Sequence, residues 1–240
     1  MIAHQTLTMI SIVVPAYNEE KYIERCLKAL VNQATTHIYE IIVVNNNSVD
    51  KTKEIAQSHG IKVVEEPRQG LAITKNTGAN HAKGEIICFV DADCVVPADH
   101  IEKLTRLITK FPETDAFGGP TLYYDAGPFT NFVVNSLRYF YFYHKIIGVI
   151  GGFTSMSGGN MVVKKSAFED IGGFDEKLTN INMPEDLDFS LRLSRAGFKA
   201  KFLFNFVTYS SNRKYAGKPK LDALTRFVET VRVLFQKGAK

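Results

Sequence analysis

Asp91 and Asp93 are the residues whose spacing first points to chemistry. They close the run Gly84-Glu85-Ile86-Ile87-Cys88-Phe89-Val90-Asp91-Ala92-Asp93-Cys94, in which five apolar residues stop at two carboxylates separated by Ala92. Such a run reads as a strand buried on both faces. The carboxylates fall where that strand leaves the sheet, the edge at which open α/β sheets bind ligands. Past the pleat, positions i and i+2 can turn toward one point, which suits a hard divalent cation held by oxygen ligands. An isolated pair of this kind is more often a capped surface turn; the rest of the chain weighs against that.

The surrounding elements must place this pair. Ser11-Ile12-Val13-Val14-Pro15 is an apolar run stopped by proline, followed by the loop Ala16-Tyr17-Asn18-Glu19-Glu20 and a helical pattern through Tyr22, Ile23, Cys26, Leu27 and Leu30. The unit repeats: Glu40 to Val44 predicts a strand, Asn45-Asn46-Asn47-Ser48-Val49-Asp50 a polar loop, and Lys51 to His59 a helix closed by Gly60. Ile61 to Val64 predicts a third strand, and Leu71 to Ala82 a helix leading into the acidic stretch. Alternating β and α at this spacing argues for a parallel, helix-covered sheet whose loops converge on one edge.

The second half is less regular. Ile101 to Phe111 predicts an amphipathic helix, Met161 to Val163 a strand, Glu169 to Glu176 a turn-rich stretch, and Lys199 to Phe206 a last strand or strand pair. Pro184-Glu185-Asp186 opens a helix that Gly197 ends. Phe129 to Phe153 is the most aromatic segment, broken by Asn135, Arg138, His144 and Lys145, too polar to span a bilayer. It reads as a packed or dimer-contact helix, or as an interfacial patch touching lipid or an apolar acceptor. Leu221 to Lys240 predicts a basic amphipathic helix.

Composition sets outer bounds. The 240 residues are 45% hydrophobic and 22% charged, ordinary globular values, with a formal charge of +4 and no long Lys/Arg run that calls for nucleic acid. Cys26, Cys88 and Cys94 are irregularly spaced, so neither a disulfide framework nor a zinc site is indicated. His37, His59, His81, His100 and His144 show no ligand spacing. With no signal-peptide pattern at the N-terminus, a reducing cytosol is the simplest inference.

The ordered motifs carry a resemblance. Val14-Pro15-Ala16-Tyr17-Asn18-Glu19-Glu20, the Asn-Asn-Ser-Val-Asp loop from Asn46, Lys75-Asn76-Thr77-Gly78 with Ala82-Lys83-Gly84-Glu85, Asp91-Ala92-Asp93, Gly172-Gly173-Phe174-Asp175 and Glu185-Asp186 resemble the family 2 glycosyltransferases of GT-A fold. The match runs in order from Ser11 to about Phe202. It implies an α/β fold with a Rossmann-like, mostly parallel central sheet flanked by helices. One domain over 1–240 is expected: a nucleotide-sugar-binding half at 1–97, an acceptor and catalytic half at 98–205, and a C-terminal amphipathic helix at 206–240.

The resemblance also implies roles. A departing diphosphate is best neutralised by a divalent ion, Mg²⁺ or Mn²⁺, held by one or two carboxylates and phosphate oxygens. Asp93 is then the metal-touching carboxylate, and Asp91 lies nearer the ribose at the metal end. Pro15, Ala16, Tyr17 and Glu19 line the donor's base together with Asn45 and Asn46. Ala92 sits between the acidic ligands. Lys75 would add positive charge near the diphosphate, with Arg68 a second candidate. Gly159, in Ser157-Gly158-Gly159-Asn160, allows close approach beneath the donor sugar, with Asn160 and Glu185 on the acceptor side. Asp186 is the base for an attacking hydroxyl, although any helix N-terminus favours acidic residues. One base without a second carboxylate nucleophile implies single displacement with inversion.

Two departures stand out. Asn45 stands where the family usually has Asp, and an amide both donates and accepts. Tyr209-Ser210-Ser211-Asn212-Arg213 lacks the His that many members place near the last strand, so metal binding is expected to strengthen when the nucleotide arrives. Without a QxxRW motif, a processive synthase is not indicated. The expectation is an inverting, metal-dependent transferase moving a sugar, with UDP as expected carrier, to a hydroxyl acceptor that is a sugar, lipid-linked or a small molecule. It would be cytoplasmic, with contact to the inner membrane face and homodimer formation left open. The alternatives are a catalytically lapsed nucleotide-sugar-binding relative and a nucleotidyltransferase on a similar scaffold.

Overall fold

The computed structural model describes residues 8–125, 152–178 and 185–214. The aromatic segment up to residue 151, Pro184 and the helix expected over Leu221 to Lys240 lie outside them. In chain order the elements are β1 (Ile10–Ala16), α1 (Ile23–Val31), β2 (Tyr39–Asn45), α2 (Thr52–Ser58), β3 (Lys62–Glu65), α3 (Leu71–His81) and β4 (Ile86–Phe89). There follow β5 (Cys94–Val95), α4 (His100–Lys110), β6 (Ala116–Gly118), β7 (Thr121–Tyr123), β8 (Met161–Lys164), α5 (Lys165–Asp170), α6 (Glu185–Arg195), β9 (Ala200–Phe202) and β10 (Thr208–Ser210). A 3₁₀ turn, Asn212–Lys214, completes them.

Seven strands form the main sheet in the order β3-β2-β1-β4-β8-β6-β9. The first four are mutually parallel, β8 runs antiparallel to both neighbours, and β6 and β9 are parallel. The sheet is thus mostly parallel, as expected, with β8 inserted against the grain. A second sheet, β5-β10-β7, stands beside it.

Alternating residues of β1 serve opposite layers. Ile12 and Val14 pack with Cys26, Leu27, Leu30 and Leu104, whereas Val13 packs with Ile42, Val44, Ala79 and Phe89. This explains the unbroken apolar runs, because both faces are covered by helices. Phe89, Phe168, Phe174 and Phe189 form an aromatic knot on the second face, with Phe174 and Phe189 centroids 4.6 Å apart. Each such buried ring contributes about 1.5–3 kcal/mol, which fixes α6, and with it Glu185 and Asp186, against the end of β4.

Several boundaries differ from the sequence reading. Proline does not stop β1: Pro15 pairs with Val44 and Ala16 with Asn45. The carbonyl of Val13 faces β4, where Val90 N–H bonds it, so Pro15 faces the same side two residues later. The β1–β4 ladder has already ended at Val13 opposite Phe89, and the missing N–H falls where nothing would receive it. The helix expected from residue 206 does not begin there, because Thr208–Ser210 is a strand paired to β5 and β7. The turn-rich stretch at Glu169 overlaps the end of α5. No described helix is long and apolar enough to cross a membrane.

Candidate active site

The acidic pair stands where β4 ends. Asp91 is half-buried and Asp93 buried, and ligand atoms of Asp91, Asp93 and Cys94 lie within 4.8 Å of one another. Burial, then the charges of Asp91 and Asp93, push the Cys94 thiol far up, so it stays protonated and leaves the two carboxylates as the oxygen donors. That oxygen set fits Mg²⁺ or Mn²⁺, which need only one or two protein carboxylates when phosphate supplies further ligands. Beneath Asp91 runs Gly159, where a Cβ would come within 2.9 Å of Asp91 Oδ2.

One residue away, Gly158 faces a second carboxylate group. Its N–H donates to Asp186 Oδ2 at 2.9 Å, and a Cβ there would lie 2.5 Å from Lys75 Nζ. The paired glycines therefore let one backbone segment pass between the two acidic centres. Met156 N–H bonds Ser190 Oγ at 3.2 Å, which latches the same segment to α6.

Lys75 joins those centres. It is fully buried and its ammonium donates to Glu185 Oε1 at 2.9 Å. Burial opposes its charge, but Glu185 first, then Asp91 and Asp186, outweigh burial and hold its pKa above the ordinary lysine value. It is thus neither a solvated helix residue nor an open arm for phosphate; its partner is the acidic pair. Asp186 is moved the other way: burial and the neighbouring Glu185 push its carboxyl up to about 6, against the opposing pull of Lys75 and the Gly158 N–H. Of the two acids, Glu185 is bonded to Lys75, whereas Asp186 is partly exposed and holds the Gly158 N–H.

Each residue of Lys75-Asn76-Thr77-Gly78 has a separate use. Asn76 bonds both backbone groups of Phe174, at 2.9 and 2.8 Å, and Thr77 donates to Glu66 at 2.6 Å. At Gly78 a Cβ would meet Val13 Cγ1 at 2.2 Å, so only glycine lets α3 lie this close to β1. Arg192 of α6 donates to the carbonyls of Ile171 and Gly173 and to Asp188, holding the Gly172-Gly173 turn from the other side.

The two N-terminal loops are stitched together. Asn18 N–H donates to Ser48 Oγ, Val49 N–H to Asn18 Oδ1, Glu19 N–H to Thr52 Oγ1, and Glu20 N–H to Asp50. Asn18 and Asn47 adopt positive φ, 53° and 63°, as asparagine tolerates. Tyr17 is left 51% exposed over this platform, a ring open to a flat partner. Asn45 is buried; its amide nitrogen donates to Glu65 Oε2 at 2.8 Å while its Oδ1 has no hydrogen-bond partner among the described residues. Asn46, grouped with it in the sequence reading, is instead a clamp: it donates to the carbonyls of Glu66 and Arg68 and accepts from Gly70 N–H. Ala16 accepts the N–H of Asn46, and Ala92 is core.

Other expected residues face elsewhere. Arg68 is engaged by Glu66 and Glu176. Asn160 is wholly buried and its amide nitrogen holds the carbonyl of Phe206 at 2.6 Å, an internal brace between strands. Sequence reasoning passed over Arg213, whose Nε donates to Asp93 Oδ2 at 3.2 Å and whose Nη2 pairs with Glu19 Oε1. It also passed over Glu65 as the residue orienting Asn45. Only the run of polar residues after the last strand marked Arg213.

A mostly parallel sheet ending in paired carboxylates, with a second acidic pair brought to the same edge, defines a glycosyltransferase of GT-A fold. The model of glycosyl transferase family 2 matches residues 11–172, and the chain belongs to that family. Glycosyltransferase AglE of Haloferax volcanii is 28% identical over 84% of this chain and 66% of its own length. Among solved structures, S. aureus TarS 1-349 in complex with UDP-GlcNAc aligns with a TM-score of 0.65 at 22% identity, covering 85% of this chain and 58% of that one. The mannosyltransferase PcManGT from Pyrobaculum calidifontis, in complex with GDP-Man and Mn²⁺, gives 0.65 at 22% identity, covering 84% and 56%. The matches span from 16% to 66% of the length of the first curated relatives.

Proposed function

We propose that this chain is an inverting glycosyltransferase that moves a sugar from a nucleoside diphosphate to a hydroxyl acceptor, assisted by Mg²⁺ or Mn²⁺. The observation that carries this reading is the position of Asp186, bonded to Gly158 while Gly159 underlies Asp91. A carboxylate tuned for proton transfer and a carboxylate pair suited to a cation thus flank one glycine segment. Asp186 takes the proton of the attacking hydroxyl, Lys75 holds Glu185 and steadies the charge between both centres, and Asp91 and Asp93 would hold an ion whose positive charge would favour departure of the diphosphate.

The donor's base is read at Asn45. Glu65 fixes the amide nitrogen, which leaves Oδ1, buried and without a partner among the described residues, as the acceptor of this side chain, the role an aspartate would fill. Bases carrying a ring N–H on the pairing edge, uracil and guanine, suit that atom, whereas cytosine and adenine offer an acceptor there. UDP is the expected carrier; the named ligands of the TarS and PcManGT structures, UDP-GlcNAc and GDP-Man, both meet the requirement. The reading places this transfer in glycan or glycolipid biosynthesis.

Proton NMR of donor hydrolysis with Mn²⁺, water serving as acceptor, tests the reading. An α-linked sugar donor should first release the β-anomer. First release of the α-anomer would overturn inversion, and a failure to hydrolyse UDP- or GDP-sugars would count against catalysis.

A further inference from the structure

Arg213 is placed by an arrangement independent of the family motifs. Strand β10 pairs antiparallel with β5, bringing Ser210 opposite Cys94, immediately beside Asp93. Ser210 Oγ donates to Asp93 Oδ1 at 3.2 Å. Beyond the strand, Asp125 accepts Ser211 Oγ at 2.6 Å and the N–H of Asn212, and Ser211 Oγ accepts the N–H of Arg213 at 3.3 Å. The guanidinium is then laid 4.5 Å above the Tyr22 ring centroid, bridging Glu19 of the first loop and Asp93 at the end of β4.

This cation stands on the carboxylate that the preceding reading gives to the metal. A divalent ion at Asp93 would compete for the same lone pairs and repel the guanidinium. Once displaced from Asp93, the guanidinium keeps Glu19 on Nη2 while its Nε donor is released, and a diphosphate suits that planar fork as well as a carboxylate does. The Tyr22 ring and the Asp125 clamp keep the guanidinium at the site during such an exchange.

We infer that Arg213 exchanges partners: it neutralises Asp93 in the donor-free enzyme and passes to the donor's diphosphate when metal takes Asp93. It is therefore a donor-binding residue outside the family's motifs. This rests on the proposed nucleoside diphosphate donor and on Asp93 as metal ligand.

The exchange has an opposite-sign signature that a merely supporting residue cannot produce. Arg213→Gln and Arg213→Lys are titrated with Mn²⁺ alone, followed by electron paramagnetic resonance of the free ion, and with UDP and GDP at saturating Mn²⁺ by calorimetry. For Arg213→Gln, Mn²⁺ alone should bind more tightly, by about fivefold or more, and the nucleotide more weakly, by about tenfold or more; Arg213→Lys should fall between. Unchanged or weaker Mn²⁺ binding in Arg213→Gln overturns the exchange, as does unchanged nucleotide binding. A wild-type chain that binds Mn²⁺ but neither diphosphate overturns the donor reading instead, a result visible before any variant is compared.

Discussion

Lys75 Nζ and Glu185 Oε1 lie 2.9 Å apart, with side chains only 1% and 11% exposed. This bond ties α3 to the first turn of α6. Removing one partner of a buried pair leaves the other uncompensated, at about 3–5 kcal/mol. Lys75→Met should therefore lower the unfolding free energy by about that amount. Lys75→Met combined with Glu185→Gln should cost less than the single change, and urea unfolding of the cycle checks the sign.

Asp186 makes stability and activity oppose each other in pH. Burial and the neighbouring Glu185 push its carboxyl up to about 6, above the ordinary aspartate range. The contribution of its protonated form is complete below about pH 4 and lost as pH rises through 6. Asp186→Asn should consequently raise Tm at pH 8, by about 1 kcal/mol equivalent after allowance for partial exposure, and leave it unchanged at pH 4. In the wild-type chain kcat/KM should climb with unit slope to a plateau above about pH 6. Calorimetry at both pH values and a pH–rate profile check the pair of effects.

Glu66 titrates with the opposite sign. The Arg68 hydrogen bonds, opposed by burial and aided by Thr77, lower its pKa from 4.5 to about 2. Its contribution is present above about pH 4.5 and lost as pH falls through 2. Glu66→Gln should cost about 2 kcal/mol at pH 7, discounted because Arg68 is largely exposed, and the deficit should shrink toward pH 2 in acid titrations of urea midpoints.

The βα units and the loops that converge on β4 were legible, because Ile86 to Val90 and Ile10 to Val14 are apolar runs that only a doubly covered sheet needs. The purposes within the motifs were not. The resemblance points Lys75 toward phosphate, whereas its ammonium is held by Glu185, 110 positions away. Arg213 meets Glu19 across 194 positions through a three-residue strand too short to show periodicity. The resemblance assigns Asn46 to the donor and Asn160 to the acceptor side, yet the amide nitrogen of each is spent on backbone carbonyls.

Base choice should follow the orientation of Asn45. With Glu65→Gln the neighbour offers a donor as well as an acceptor, so the Asn45 amide is free to turn. Thermal shifts with UDP, GDP, CDP and ADP at saturating Mn²⁺ should show a preference for UDP and GDP over CDP and ADP in the wild-type chain and a reduced one in the variant. Equal shifts for all four in the wild-type chain would remove Asn45 from base selection.

The central claim is that Asp186 performs the proton transfer without holding the donor. Donor hydrolysis and nucleoside diphosphate affinity with Mn²⁺, measured side by side for Asp186→Asn, test it most directly. The rate should fall by about 10²–10⁴ while Kd stays within about threefold. Retained turnover, or a loss of affinity that accounts for the lost rate, would contradict it.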